Sequence, residues 1–184
     1  MSVKEFLTEY SSRFDAYDLA TLLIYKTQGK SLEEYLATRQ PLSALSEKRV
    51  RRLYSAEDAP DVLEEIGDEA LQSRMEGISL EELTPDKASL IRDIFNGWGE
   101  ERFFNHVDKL HGRDRDSCLP IVGTSIDLLN LSVILRSKLI GISNVQDHLI
   151  PTQWKLSEKA LNQVLSAEDL AQTLDRASSL RQYR

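Results

Sequence analysis

The chain has 184 residues, 41% of them apolar and 29% charged, enough for one large domain or two small ones around a real core. A formal net charge of −7 argues against recognition of nucleic acid through its phosphates, which needs a basic surface. The single cysteine, Cys118, rules out a disulfide within this chain and points to a reducing compartment.

Leu is the commonest residue, Glu, Ala, Arg and Ser are frequent, and glycine and proline are few, so the elements are expected to be helices. The first is the apolar stretch DAYDLATLLIYKTQGKS, residues 15 to 31, which ends near a glycine. SLEE, residues 31 to 34, has the Ser-x-x-Glu pattern of a capping box and predicts a short helix. Pro41 breaks the chain, and LSEKRVRRLYSAED, residues 45 to 58, predicts a helix followed by the start of another, with Ser55 as the cap. The basic run Lys48 to Arg52 reads as the solvated face of that helix. A second SLEE at 79 to 82 predicts a further cap. TPDKASLIRDIF then begins a helix with Thr84 as N-cap and Pro85 in the first helical position, and NGWG, residues 96 to 99, is expected to interrupt it. No alternating run predicts a strand.

The second half repeats the first. LSEKALNQVLSAED, residues 156 to 169, matches the phrase at 45 to 58 in eight of fourteen positions, 111 residues away. DLLNLSVILRSKLIGIS, residues 127 to 143, lies over residues 15 to 31 at an offset of 112, pairing Asp15 with Asp127, Lys26 with Lys138 and Gly29 with Gly141. SNVQ, residues 143 to 146, takes the place of SLEE, and Ser166 that of Ser55. Two matched blocks in the same order predict a duplication. The expected organisation is a first helical repeat unit over 1–78, linking helices over 79–123 and a second unit over 124–184, about ten helices able to pack as one body. At 100° per residue, Asp127, Asn130, Ile134, Lys138 and Gly141 share one stripe of a helix that is apolar over most of its circumference. Polar groups in such surroundings need partners, a polar cavity or an interface.

Catalytic patterns are lacking. His106 and His111 are five apart and do not share a helical face as His-x-x-x-His zinc ligands do. His148 stands alone, and Cys118 has no histidine closer than His111. The pairs Glu33-Glu34, Glu64-Glu65 and Glu81-Glu82 are adjacent in sequence and cannot face each other on a helix. There is no phosphate-binding glycine loop and no Gly-x-Ser-x-Gly elbow. The expectation is no catalytic residue, no cofactor, no metal and no small-molecule substrate. No apolar run approaches the roughly eighteen residues that span a bilayer, and MSVKEFLTEY lacks signal-peptide character, so no direct membrane insertion is expected.

The second copy carries a longer pattern. Asp127, Asn130, Leu131, Leu135, Arg136, Lys138 and Gly141, with Ile150-Pro151 downstream, resemble the motif of the central-stalk C subunits of the A-type ATP synthases, whose V-type counterparts are the d subunits. The resemblance covers residues 125 to 170 well and the remainder loosely. The first copy departs from it, with Asp18 for the asparagine and Ile24 for the arginine, and PTQWKL stands where the family has a glycine-rich step. The resemblance implies an all-α fold of related helical units and a non-catalytic stalk protein. In the family, that protein sits on the proteolipid rotor ring, at the cytoplasmic face of the membrane, and holds the foot of the central axle. Family members are nearly twice as long, so this chain is expected to be a partial chain or a short relative that begins after the family's first unit. Carried over to this sequence, the motif marks Asp127, Asn130, Leu131, Arg136, Lys138 and Gly141, with Asp15, Asp18 and Lys26 in the first copy. They are expected either to fix helix packing or to line a partner interface. A generic helical-repeat scaffold for some other protein shares the fold but not the partner. An all-helical enzyme would need a pocket of converging acids.

Overall fold

A computed structural model describes residues 3–180, and the described residues form helices and loops without a strand. Three long helices make the frame: α1 (Val3–Thr27), α6 (Pro85–Val107) and α7 (Gly112–Ile140). α6 packs against both others and runs antiparallel to each. Phe6 of α1 meets Phe103 near the end of α6, and Asp93 early in α6 meets Arg136 late in α7. α1 and α7 are therefore parallel. Four short helices lie between α1 and α6: α2 (Leu32–Leu36), α3 (Glu47–Tyr54), α4 (Ala59–Ile66) and α5 (Glu69–Met75). After α7 come a 3₁₀ turn (Val145–His148), α8 (Glu158–Leu165) and α9 (Leu170–Ser178).

The main core joins α1 through α6 and takes in Val133 of α7. A smaller one packs Ile134 with Val145, Leu156, Leu161 and Val164, and Leu149 touches both. α7 runs unbroken through residues 123 and 124, so the boundary drawn there from the sequence falls inside a helix.

Several local expectations are corrected. NGWG does not interrupt α6; it is part of the helix, and its glycines serve close approach. A Cβ on Gly99 would lie 2.8 Å from the Cβ of Ala16 on α1, and one on Gly97 would lie 2.7 Å from Ile150 Cδ1. SLEE at 79 to 82 opens no helix, because the chain there is a loop that α6 leaves at its Thr84 cap. At 31 to 34 the same four letters do form a capping box. The 3₁₀ turn has Asn144 at its N-cap without a side-chain bond, so Ser143 and Gln146 make no capping box.

In the repeated phrase the caps are shifted. Ser46 and Ser157 cap α3 and α8 by accepting from the N–H groups of Arg49 and Ala160. Ser55 and Ser166 terminate those helices, while Asp58 and Asp169 start the next ones. Alanine at Ser46 or Ser157 is expected to cost about 1 kcal/mol in chemical denaturation, the usual loss of an N-cap. Alanine at Ser55, which accepts no N-cap bond, is expected to cost less than about 0.5 kcal/mol.

α7 also departs from the sequence reading in hydropathy. It contains an 18-residue window of mean hydropathy 1.8, long and apolar enough by composition to cross a bilayer. Consecutive apolar residues never run that far because Asp127 and Asn130 interrupt them. Both polar residues are fully buried against the chain's own loops, as the central helix of a folded core requires.

Candidate functional site: a duplicated polar clamp and an open groove

Asp127 and Asn130 of the motif face inward, whereas Arg136 is partly exposed and Gly141 exposed. Asp127 is fully buried, and its carboxylate accepts the backbone N–H groups of Trp154 (3.1 Å), Lys155 (2.7 Å) and Leu156 (3.0 Å). These three amides belong to an irregular segment that has no ladder of its own to satisfy them. Asn130, one turn on, accepts the N–H of Ile150 (2.8 Å) and donates to its carbonyl (3.1 Å). Lys138 donates to the carbonyl of Ala167 (2.8 Å), just past the end of α8, where a helix favours positive charge. Leu131 packs against the second core, and Gly141 closes α7 with φ of 77°. Arg136 pairs with Asp93 of α6 at 2.7 Å.

The first copy bonds in the same way. Asp15 accepts from the Ala44 N–H (2.7 Å) and the Ser43 hydroxyl (2.8 Å), 29 and 28 residues on, as Asp127 does at 29 and 28. Asp18 accepts from the Gln40 N–H (2.9 Å). Lys26 donates to the carbonyls of Tyr54 (3.1 Å), the last residue of α3, and Ala56 (2.5 Å), just past its end. The change from asparagine to aspartate has a physical counterpart. Asn130 serves as donor and acceptor by itself, whereas the buried Asp18 carboxylate only accepts and takes a cation, Arg39 at 3.4 Å. Asp127 and Asn130 are sealed from solvent, so neither lines an outer surface of this chain.

The sequence reading passed over Glu100 and Glu101. Adjacent on α6, they point to opposite neighbours. Glu101 pairs with Arg74 of α5 at 2.5 Å and accepts from the Thr152 hydroxyl at 3.3 Å. His148 Nδ1 lies 2.7 Å from the Arg74 carbonyl oxygen, which fixes its proton on that nitrogen. Glu100 bonds Arg13 of α1 through Oε1, and the Ser125 hydroxyl of α7 also lies close enough to donate to its buried carboxylate. The preceding glycines were the available signal, because at Gly97 and Gly99 α6 lies close against Ile150 and Ala16.

Burial raises the Glu100 carboxyl above its ordinary 4.5, and Arg13 partly offsets this. The folded state therefore holds this proton more tightly, and that contribution to stability is full below pH 4.5 and lost as pH rises through the folded value. Glu100→Gln is expected to gain stability relative to the parent as pH climbs from 4.5, measured by urea unfolding across pH; a difference independent of pH would contradict this.

Beside Glu100 a groove opens between residues of α1 and α7. A cavity of about 450 Å³ lined by Tyr10, Arg13, Tyr17, Asn96, Glu100 and Ser125 adjoins an apolar one of about 250 Å³, the two sharing Tyr10 and Arg13. Glu100 is the single acid lining either, so no second carboxylate joins it there to form an acid–base pair. Among the described residues no three His, Cys, Asp or Glu side chains come together as metal ligands.

A family model described as ATP synthase (C/AC39) subunit matches residues 1–184. The chain belongs to that family. The C subunit of the A-type ATP synthase of Methanocaldococcus jannaschii is similar, 25% identical over 169 residues, which is 90% of this chain and 42% of that relative. The chain thus spans less than half the length of the curated relative it matches. No solved structure gives a significant match. In this C/AC39 chain the clamp residues number among those that resemble the family motif, and the structure gives each of them bonds within its own fold.

Proposed function

We propose that the chain is a non-catalytic stalk component of an A/V-type ATP synthase, a stiff spacer between the proteolipid rotor ring and the central axle, bound peripherally at the cytoplasmic face of the membrane. Family membership and the name of the archaeal relative support this reading. The single observation that carries the mechanical part is the clamp that appears twice. In each half a long helix holds its trailing loop by a buried or half-buried aspartate and the end of a short helix by a lysine. Loops tied at both ends to a long helix cannot flex independently, and close-packed helices transmit strain. We read residues 1–78 and 124–184 as two copies of one module, joined through α6. The motif stripe then serves as internal framing and leaves partner contact to other surfaces. Affinity capture on the tagged chain in its own organism is expected to recover proteolipid and axle proteins of the synthase. Recovery of neither, with an unrelated protein in their place, would favour the generic scaffold.

A further inference from the structure

α1 is held unequally along its length. Every one of residues 18–24 is buried, whereas none of residues 5–15 is. The clamp bonds of this helix also begin late, at Asp15 and Asp18. Ahead of them, rings and ion pairs join the helix to α6. Phe6 and Tyr10 meet the ring of Phe103, Glu9 lies 3.6 Å from His106, and Arg13 bonds Glu100 at 2.7 Å. We propose that residues 3–14 form a strap that opens as a unit while the rest of the molecule stays folded, with the Arg13–Glu100 pair as its latch.

The second copy has a fastening that the first lacks. Residues 117–127 of α7 occupy the matching positions, and Leu119, Val122, Gly123 and Ile126 among them are buried. Trp154 lies across that stretch, so close to Gly123 that a Cβ there would have no room. The tryptophan stands 27 residues after Asp127. Leu42 stands at the same distance after Asp15, and it is 57% exposed. Ser11, which matches Gly123, turns its hydroxyl back to the Thr8 carbonyl of its own helix. The pin that secures this stretch in the second half is turned out to solvent in the first.

Local openings cost least where few apolar side chains are buried. Opening the strap solvates Arg13 and Glu100 and parts the rings of Phe6 and Tyr10 from Phe103. It leaves the buried run of residues 18–24 and both clamps in place. Arg13 suits the latch because its guanidinium makes three contacts at once. It bonds the Glu100 carboxylate and lies 5.4 Å from the ring of Tyr10 and 5.5 Å from that of Phe103. The stiff frame thus begins at Asp15.

Native-state hydrogen exchange of the full chain decides the matter, read at the amides of residues 7–14 and of residues 19–24, all within α1. The amides of 7–14 should share one protection factor, at least about 100-fold below that of 19–24. Val62→Ala, in the main core, should lower protection at 19–24 about tenfold and leave 7–14 within about twofold, because Val62 stays packed when the strap opens. Arg13→Gln should lower protection at 7–14 about tenfold. Equal protection along α1 would overturn the proposal, as would protection that rises residue by residue from 7 to 14, the mark of simple fraying. So would a loss at 7–14 from Val62→Ala as large as that at 19–24, or amides of 7–14 indifferent to Arg13→Gln.

Discussion

Asp127→Ala is expected to lower the unfolding free energy by about 4 kcal/mol, the largest effect of any single clamp substitution. The carboxylate accepts three backbone N–H groups while fully buried, and hydrogen bonds to a charged group contribute about 1.5–3 kcal/mol each. Water reaching the exposed side of Lys155 recovers part of the loss, which keeps the total below the simple sum. The counterpart, Asp15→Ala, is expected to cost about 1–2 kcal/mol. Asp15 is only half-buried and accepts one N–H and one hydroxyl, both of which solvent can replace. Urea unfolding of the two variants side by side checks the ordering. Equal losses, or a larger loss at Asp15, would mean that burial does not set the strength of the clamp.

Arg74→Ala is expected to cost about 3 kcal/mol or more, because it strands Glu101 in the interior. The pair is nearly sealed, with side-chain exposures of 7% and 15%, and it sits where α5, α6 and the 3₁₀ turn meet. It therefore fastens the first half of the chain to the second. Removing one partner leaves an uncompensated buried charge, whereas replacing both by leucine removes the charge and keeps the volume. Arg74→Leu with Glu101→Leu should accordingly recover most of the stability lost by Arg74→Ala. A double variant as weak as the single one would show that packing, rather than charge, is what Arg74 supplies.

These interactions were unequally legible in the sequence. The helical class followed from composition and from apolar stretches at helical spacing, and the matched pairs Asp15 with Asp127 and Lys26 with Lys138 proved to make matching bonds. Such a match is visible because the clamp occurs twice, so the same residue types recur at the same spacing in both halves. The groove and the Arg74–Glu101 fastening occur once, and with no second copy to compare, no spacing rule announces a contact between residues 27 positions apart on different helices. NGWG was misread for a related reason. Glycine breaks an isolated helix by propensity alone, but where Ala16 and Ile150 press against α6 only glycine leaves room, and packing overrides propensity. Ser55 and Ser166 misled because either end of a helix accepts serine, and only the backbone shows which end is meant.

Native-state hydrogen exchange at the amides of Trp154, Lys155 and Leu156 tests most directly the claim that the motif frames the fold. These residues lie in irregular chain, which ordinarily exchanges fast. Bound to a buried carboxylate, they should exchange nearly as slowly as the core of α7, and Asp127→Ala should release all three together. Fast exchange in the parent chain would contradict the account.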